Sequence, residues 1–178
     1  MAYTFDEPKL GLLQINQIDA GFTPPNQATL IPTPPNKLGT VVRAFDPTYG
    51  EGEFILLCGV ASNAVGSLVT WDGTTYIPTL CATTPNQGRP VAVSMAANTA
   101  ATTFSWYQIG GTAVALKSTS SSFAATVALG VKSTGKVGAV ASGVQILGAR
   151  TANAASVVSA TTTVTVVMDR PHLQGRIT

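Results

Sequence analysis

The stretch FSWYQIGGTAVALK, Phe104–Lys117, places three large aromatic residues before a Gly-Gly pair and small apolar residues after it. A two-residue glycine loop between apolar runs is typical of a β-hairpin, which would pair Tyr107 with Val114 on one face. Trp106 would then lie opposite Ala115 on the other face. Both faces would carry side chains that favour burial. The stretch therefore predicts cover on both sides, from a second sheet or from another molecule.

The composition of the whole chain favours β-structure. Its 178 residues fit one domain with an appendage, and only 10% are charged, against about 25% in an ordinary soluble domain. Lys and Arg residues are scattered singly, so we expect no nucleic-acid partner. No apolar run reaches the length of a membrane span, and the first twenty residues lack a signal-peptide pattern, so we expect no membrane partner and synthesis in the cytosol.

The N-terminal residues 1–37 differ from the rest of the chain. They contain TPPNQ and TPPNK, and Pro-Pro pairs impose extended backbone without ladder donors. This predicts an extended Pro-rich arm, residues 1–37, before an all-β domain, residues 38–178. Apolar anchors predict that the arm lies in a groove, either its own or a neighbour's. These anchors are Phe5, Leu10, Leu12, Leu13, Ile15, Ile18 and Phe22.

From Leu38 onward, short β-rich runs alternate with turn signals, as in a β-sandwich or a β-barrel-like domain. Asp72-Gly73 predicts a tight turn. The Ala- and Ser-rich segments 118–125 and 150–160 are compatible with loops or a short helix. Strands are predicted at Gly39–Phe45, Glu53–Val60, Ser67–Trp71, Thr74–Pro78, Val91–Met95, Thr103–Ile109, Thr112–Lys117, Ala125–Val131, Lys136–Val140, Gly143–Arg150 and Thr161–Met168.

No catalytic, cofactor or metal site is predicted. GVKSTGKV, Gly130–Val137, matches a phosphate-loop spacing but has Val137 where Ser or Thr would hold magnesium, so Ser133–Lys136 is read as a β-turn. His172 is the single histidine, and the sequence has no GxSxG motif that would supply a nucleophile for it to activate. Cys58 and Cys81 have no metal-ligand spacing, and a disulfide between them is left open. We therefore expect a protein that is not an enzyme.

Two groups of residues have a second reading as a sugar site. Asp46, Glu51 and Glu53 lie in FDPTYGEGEF, which is typical of a charged surface loop but also supplies carboxylates for glycan contact. Four aromatic residues are typical of core or subunit contacts but could form a stacking platform. They are Trp71, Tyr76, Trp106 and Tyr107. The alternative prediction is a carbohydrate-binding tail-fibre or adhesin domain.

The order GEFILLCGVASNAVGSLVTWDGTTY, then GRPVAVSMAANTAATTFSWYQIGGTAVALKS, then LGVKSTGKVGA and TTTVTVVMDRP resembles small capsid decoration, or cement, proteins of tailed bacteriophages. The resemblance covers roughly residues 39–171. It implies a β-domain bound to the outer capsid surface of the virion, often as a homotrimer, where it contacts the major capsid protein and bridges capsomers. It carries no catalytic residues.

We expect the capsid or subunit contacts to come from the arm and from one face of the predicted hairpin. Besides the seven apolar anchors of the arm, the candidates are Pro24, Pro25, Pro34, Pro35, Tyr107, Val114 and Leu116. Such contacts would act together, since many weak identical contacts multiply through avidity. From the sequence alone, we expect deletion of residues 1–36 to weaken attachment to the capsid while leaving the β-domain folded.

Overall fold

The structure is a computed structural model that describes residues 3–5, 12–22, 32–34, 36–98 and 100–176. These residues form twelve β-strands and no helix, which confirms the all-β class, and hence no helix that could cross a membrane. The strands are β1 Thr4–Phe5, β2 Ile18–Asp19, β3 Val41–Asp46, β4 Gly50–Cys58, β5 Leu68–Trp71, β6 Pro78–Leu80, β7 Val91–Ser94, β8 Phe104–Leu116, β9 Ala128–Ser133, β10 Lys136–Gly138, β11 Gln145–Thr151 and β12 Thr163–Leu173.

The Gly-Gly stretch does not form the predicted hairpin. Phe104–Leu116 is one strand of 13 residues, and Gly111 lies in its interior. Gly111 pairs with Gly52 of β4 and with Met168 of β12. Because antiparallel neighbours occupy both edges of β8 at this residue, the chain continues instead of reversing. The hairpin prediction is therefore wrong, and so are the cross-strand pairs that followed from it.

The two glycines instead accommodate a β-bulge. Gln108 pairs with Phe54 and Gly110 pairs with Glu53, so Ile109 is an extra residue on β8. Gly111 has a φ of 83°, and a β-carbon there would lie 2.2 Å from the carbonyl oxygen of Glu51. Only glycine combines this left-handed backbone with so close an approach.

Strand β8 bends strongly around the bulge. Tyr107 pairs with Ser94, the Ser94 carbonyl accepts the Gly66 N–H, and the Gly66 carbonyl accepts the Leu116 N–H. Each of these three hydrogen-bonded links spans about 5.5 Å between α-carbons, so together they keep Tyr107 and Leu116 within about 17 Å of each other. The same length of flat strand would span roughly 30 Å. The bend makes β8 the corner of the fold.

The sheet that contains β8 is antiparallel and curls into a half-barrel, with the order β1-β3-β4-β8-β12-β11-β9-β10. A ribbon of β6, β5 and β7 joins it, because β7 also pairs with β8. At the far end, Val137 of β10 forms a parallel bridge to Lys117, the residue after β8. The β8-to-β10 half of the sheet therefore returns to the strand from which it starts.

Three apolar clusters form the core, and β8 contributes to all of them. Ala113 and Ala115 pack inside the curl, in the first cluster. Trp106 packs with Phe54 and Leu56 in the second, and Tyr107 packs with Ile55, Leu57 and Trp71 in the third. In the first half of β8, Phe104–Gly110, both faces are buried by described residues of the same chain. In the second half, Thr112, Val114 and Leu116 on one face are only half-buried.

The turn signals give mixed results. Ser133–Lys136 is the reversal between β9 and β10, as predicted. The strand predicted at Thr74–Pro78 is wrong, because the Asp72 carboxylate accepts the backbone N–H groups of Thr74 and Thr75. Those donors are lost to a ladder, so β6 begins only at Pro78. The segments 118–125 and 150–160 contain loops and strand residues.

Candidate functional site

The N-terminal contact candidates lie in three environments. Leu12 and Leu13 are half-buried against the Trp106 cluster, and Ile15 is buried in it. Pro34 is half-buried, whereas Ile18 and Phe22 are exposed. The side chain of Phe5 and all of Leu10, Pro24, Pro25 and Pro35 lie outside the described residues.

Hydrogen bonds attach the described part of residues 1–37 to β8. The Tyr3 hydroxyl donates to the Thr112 carbonyl oxygen at 2.6 Å, and it accepts from Gln108 Nε2 at 3.2 Å. The Trp106 indole donates to the Leu13 carbonyl oxygen at 2.7 Å. Burial raises the pKa of Tyr3 above its usual value, consistent with a neutral hydroxyl that donates. This part of the arm therefore lies in a groove of its own chain.

The three contact candidates on β8 also differ. Tyr107 is fully buried: its hydroxyl donates to the Cys58 carbonyl oxygen at 3.0 Å and accepts from Asn98 Nδ2 at 3.2 Å. Its side chain has no exposed surface to offer to a neighbouring molecule. Val114 and Leu116 are half-buried, so their contact role stays a prediction.

The residues of the predicted sugar site are not gathered in one place. Asp46 is buried, and its carboxylate accepts the N–H groups of Thr48 at 2.8 Å and Tyr49 at 3.0 Å, which closes the β3–β4 turn. The Tyr76 ring packs over Gly39. Trp106 and Tyr107 are interior, which leaves Trp71 as the aromatic residue of this group that lines a cleft.

One cleft, here called the charged cleft, lies directly over the β8 bulge and has a volume of about 440 Å³. Glu53 is its centre: Oε1 lies 3.1 Å from Arg43 Nη2, and Oε2 lies 3.1 Å from Arg170 Nε. The lining residues are Arg43, Glu51, Gly52, Glu53, Gly110, Gly111, Met168, Asp169 and Arg170.

Sequence reasoning grouped Glu51 and Glu53 but missed the arginines. Arg43 pairs with Glu53 across the β3–β4 hairpin, so a correct hairpin register would have found it. Arg170 comes from β12, which is distant in sequence and reaches the cleft only because β12 pairs with β8.

A second cleft, here called the apolar pit, adjoins the first and has a volume of about 240 Å³. Arg170 lines both clefts and is the one charged residue that lines the pit. Arg170 has a φ of 39° immediately before Pro171, a conformation that is unfavourable for a non-glycine residue. The pit is lined by Val41, Trp71, Pro90, Val91, Ile109, Arg170 and Pro171.

The ion pairs of Glu53 predict a loss of stability in acid. Arg170 first, and then Arg43, hold the pKa of Glu53 below its usual value of 4.5. A lowered folded-state pKa stabilises the fold above about pH 4.5, and this contribution disappears as the pH falls through the lower value. Because both arginines are largely exposed, we expect Glu53→Gln to lower the free energy of unfolding at pH 7 by only about 1 kcal/mol.

Urea unfolding of Glu53→Gln between pH 7 and pH 3 measures this contribution. The control is Glu51→Gln, since Glu51 is exposed and forms no ion pair within the described ranges. The difference between wild type and Glu53→Gln should shrink below pH 4.5. A difference that stays constant down to pH 3 would contradict the assignment.

A buried lysine organises the loops at the other end of β8. Lys117 is 1% exposed, and its Nζ donates to the carbonyl oxygens of Ser118 at 2.9 Å, Ser121 at 2.5 Å and Ser159 at 3.1 Å. It also lies 5.9 Å from the Phe123 ring centroid. The ammonium group therefore joins two serine-containing loops in the monomer.

The two cysteines and the histidine line neither of the two clefts. Both cysteines are free thiols; burial raises the pKa of Cys81 to about 12 and also raises that of Cys58. His172 is exposed on β12. Among the described residues, no three His, Cys, Asp or Glu side chains are placed to hold a metal. Comparison with known proteins finds no matching family model, curated protein or solved structure.

Proposed function

We propose that this chain is a structural virion protein that binds the outer surface of a tailed-phage capsid and bridges neighbouring capsomers. The observation that carries the proposal is a set of large apolar side chains exposed on a surface with few charges. They are Ile18, Phe22, Val41, Phe45, Val65, Ile77, Val140, Leu147 and Val158. The resemblance in short motifs to phage decoration proteins supplies the partner, the major capsid protein.

Such a surface suits attachment to a large assembly. Exposed apolar side chains gain free energy when a neighbour covers them, and low charge reduces the desolvation cost of broad contacts. A homotrimer would repeat each contact three times, and avidity would then turn weak contacts into stable attachment. The carbohydrate-binding alternative has less support, because Tyr76 and Asp46 line neither of the two clefts.

Binding to phage heads tests the proposal. Heads of the encoding phage, assembled without this protein, are mixed with the purified chain and pelleted through a cushion. We expect saturable co-sedimentation and a higher temperature of DNA release. Sedimentation velocity should show a particle of three 18.2 kDa chains. A chain that is folded but never pellets with heads would refute the proposal.

Point variants locate the contact surface. Phe22→Ser and Val158→Ser remove two of the most exposed apolar side chains, so each should weaken head binding without changing the thermal unfolding temperature. Thr161→Ser, at an exposed position in the same part of the chain as Val158, is the control and should bind as wild type.

A further inference from the structure

We propose that the apolar pit and Arg170 together form a docking site for a peptide segment that carries a large apolar side chain next to a carboxylate. The inference goes beyond capsid attachment, because it concerns what one site recognises and needs no phage head to test it.

The walls of the pit favour an apolar side chain. Trp71 and Ile109 belong to the third core cluster, so an inserted side chain would extend an existing core. Pro90 and Pro171 also line the pit, and proline has no backbone N–H to donate. A volume of about 240 Å³ suits one large side chain, and burial of such a side chain is favourable.

Charge complementarity defines the second part of the partner. Arg170 contributes the one charge of the pit lining. Its Nε donates to Glu53, whereas no described residue accepts a hydrogen bond from its two terminal nitrogens, and its side chain is 69% exposed. A guanidinium with free donors is suited to bind a carboxylate. The partner therefore places an acidic group at the rim and an apolar group below it.

The backbone around Arg170 holds this arrangement in place. β12 carries three residues, Asp169–Pro171, opposite Gly148 alone in its pairing with β11. Arg170 takes its left-handed conformation within this bulge. Residues held in unfavourable backbone conformations are concentrated at binding and catalytic sites. The bulge places the side chain at the boundary of the two clefts.

The test uses N-acetyl-phenylalanine as the probe, with N-acetyl-phenylalaninamide and acetate as matched compounds. ¹H–¹⁵N NMR follows the Trp71 indole and the Ile109 amide of the full chain during titration. We expect saturable shifts with a dissociation constant on the order of 1 mM for the carboxylate probe. The amide should bind about fivefold more weakly, and acetate should not shift the Trp71 indole.

Two matched pairs of variants locate the binding. Arg170→Gln should weaken binding of the carboxylate probe about fivefold. Arg43 also pairs with Glu53 but does not line the pit, so Arg43→Gln should leave binding unchanged. Val41→Asp adds a negative charge to the pit lining and should also weaken binding. Its control is Phe45→Asp, at an equally exposed β3 position outside the pit.

No shift of Trp71 or Ile109, or equal effects of Arg170→Gln and Arg43→Gln, would overturn the inference. Circular dichroism of each variant shows whether it is folded. If the wild-type chain pellets with heads but does not bind the probes, only the docking site is refuted. If it binds the probes but does not pellet with heads, only the capsid proposal is refuted.

Discussion

Gly111→Ala is expected to lower the free energy of unfolding by about 3–5 kcal/mol. Two costs add at this position. The backbone has a φ of 83°, and the new β-carbon would lie 2.2 Å from the Glu51 carbonyl oxygen. That oxygen belongs to β4, which pairs with β3 and β8, so it cannot move away without disturbing the sheet.

Gly110→Ala is the matched control, since it adds the same methyl group one residue earlier. A β-carbon at Gly110 would lie 3.2 Å from the Glu53 β-carbon, so a shift of a few tenths of an ångström accommodates it. We expect a change within about 1 kcal/mol, measured by urea unfolding of both variants. If the two substitutions cost the same, Gly111 does not have the left-handed, closely packed backbone that distinguishes it from Gly110.

Deleting residues 1–36 is expected to unfold the chain or to remove more than about 5 kcal/mol of stability. This reverses the expectation drawn from the sequence alone. Ile15 and Tyr3 pack in the same cluster as Phe54, Phe104 and Trp106. Without them, that face of β8 would be open to water, and the Thr112 carbonyl would lose the Tyr3 hydroxyl.

Two isoleucines of the same segment give a matched test that does not depend on a truncated chain. Ile15→Ala should cost about 2–4 kcal/mol, because its side chain is 3% exposed. Ile18→Ala should cost less than about 1 kcal/mol, because its side chain is 40% exposed. Thermal unfolding monitored by calorimetry compares them. A folded, fully stable deletion variant, or equal effects of the two substitutions, would contradict a structural role for the arm.

Much of the fold follows from local patterns. The alternation in the run around Thr163–Met168 predicts β12, and the turn at Ser133–Lys136 predicts the β9–β10 reversal. The β-rich pattern is misleading where a side chain competes with the backbone for hydrogen bonds. The Asp72 carboxylate accepts two backbone N–H groups, and β6 therefore begins later than the pattern predicts. The candidate site could not be predicted from local patterns, because Glu53 and Arg170 are 117 residues apart in the chain.

The Gly-Gly stretch shows where local information ends. Its aromatic and small apolar residues were sufficient to predict a β-rich segment with apolar side chains on both faces, because alternation and side-chain size act within the strand itself. Two-sided burial is complete only in its first half. Whether the glycines turn the chain or let it continue depends on partners from β4 and β12, and no residue within the stretch specifies them. In isolation, the segment could adopt either a turn or a bulged strand at its glycines. Pairing on both edges of β8 selects the bulged strand, and the bulge bends β8 and creates the clefts above it.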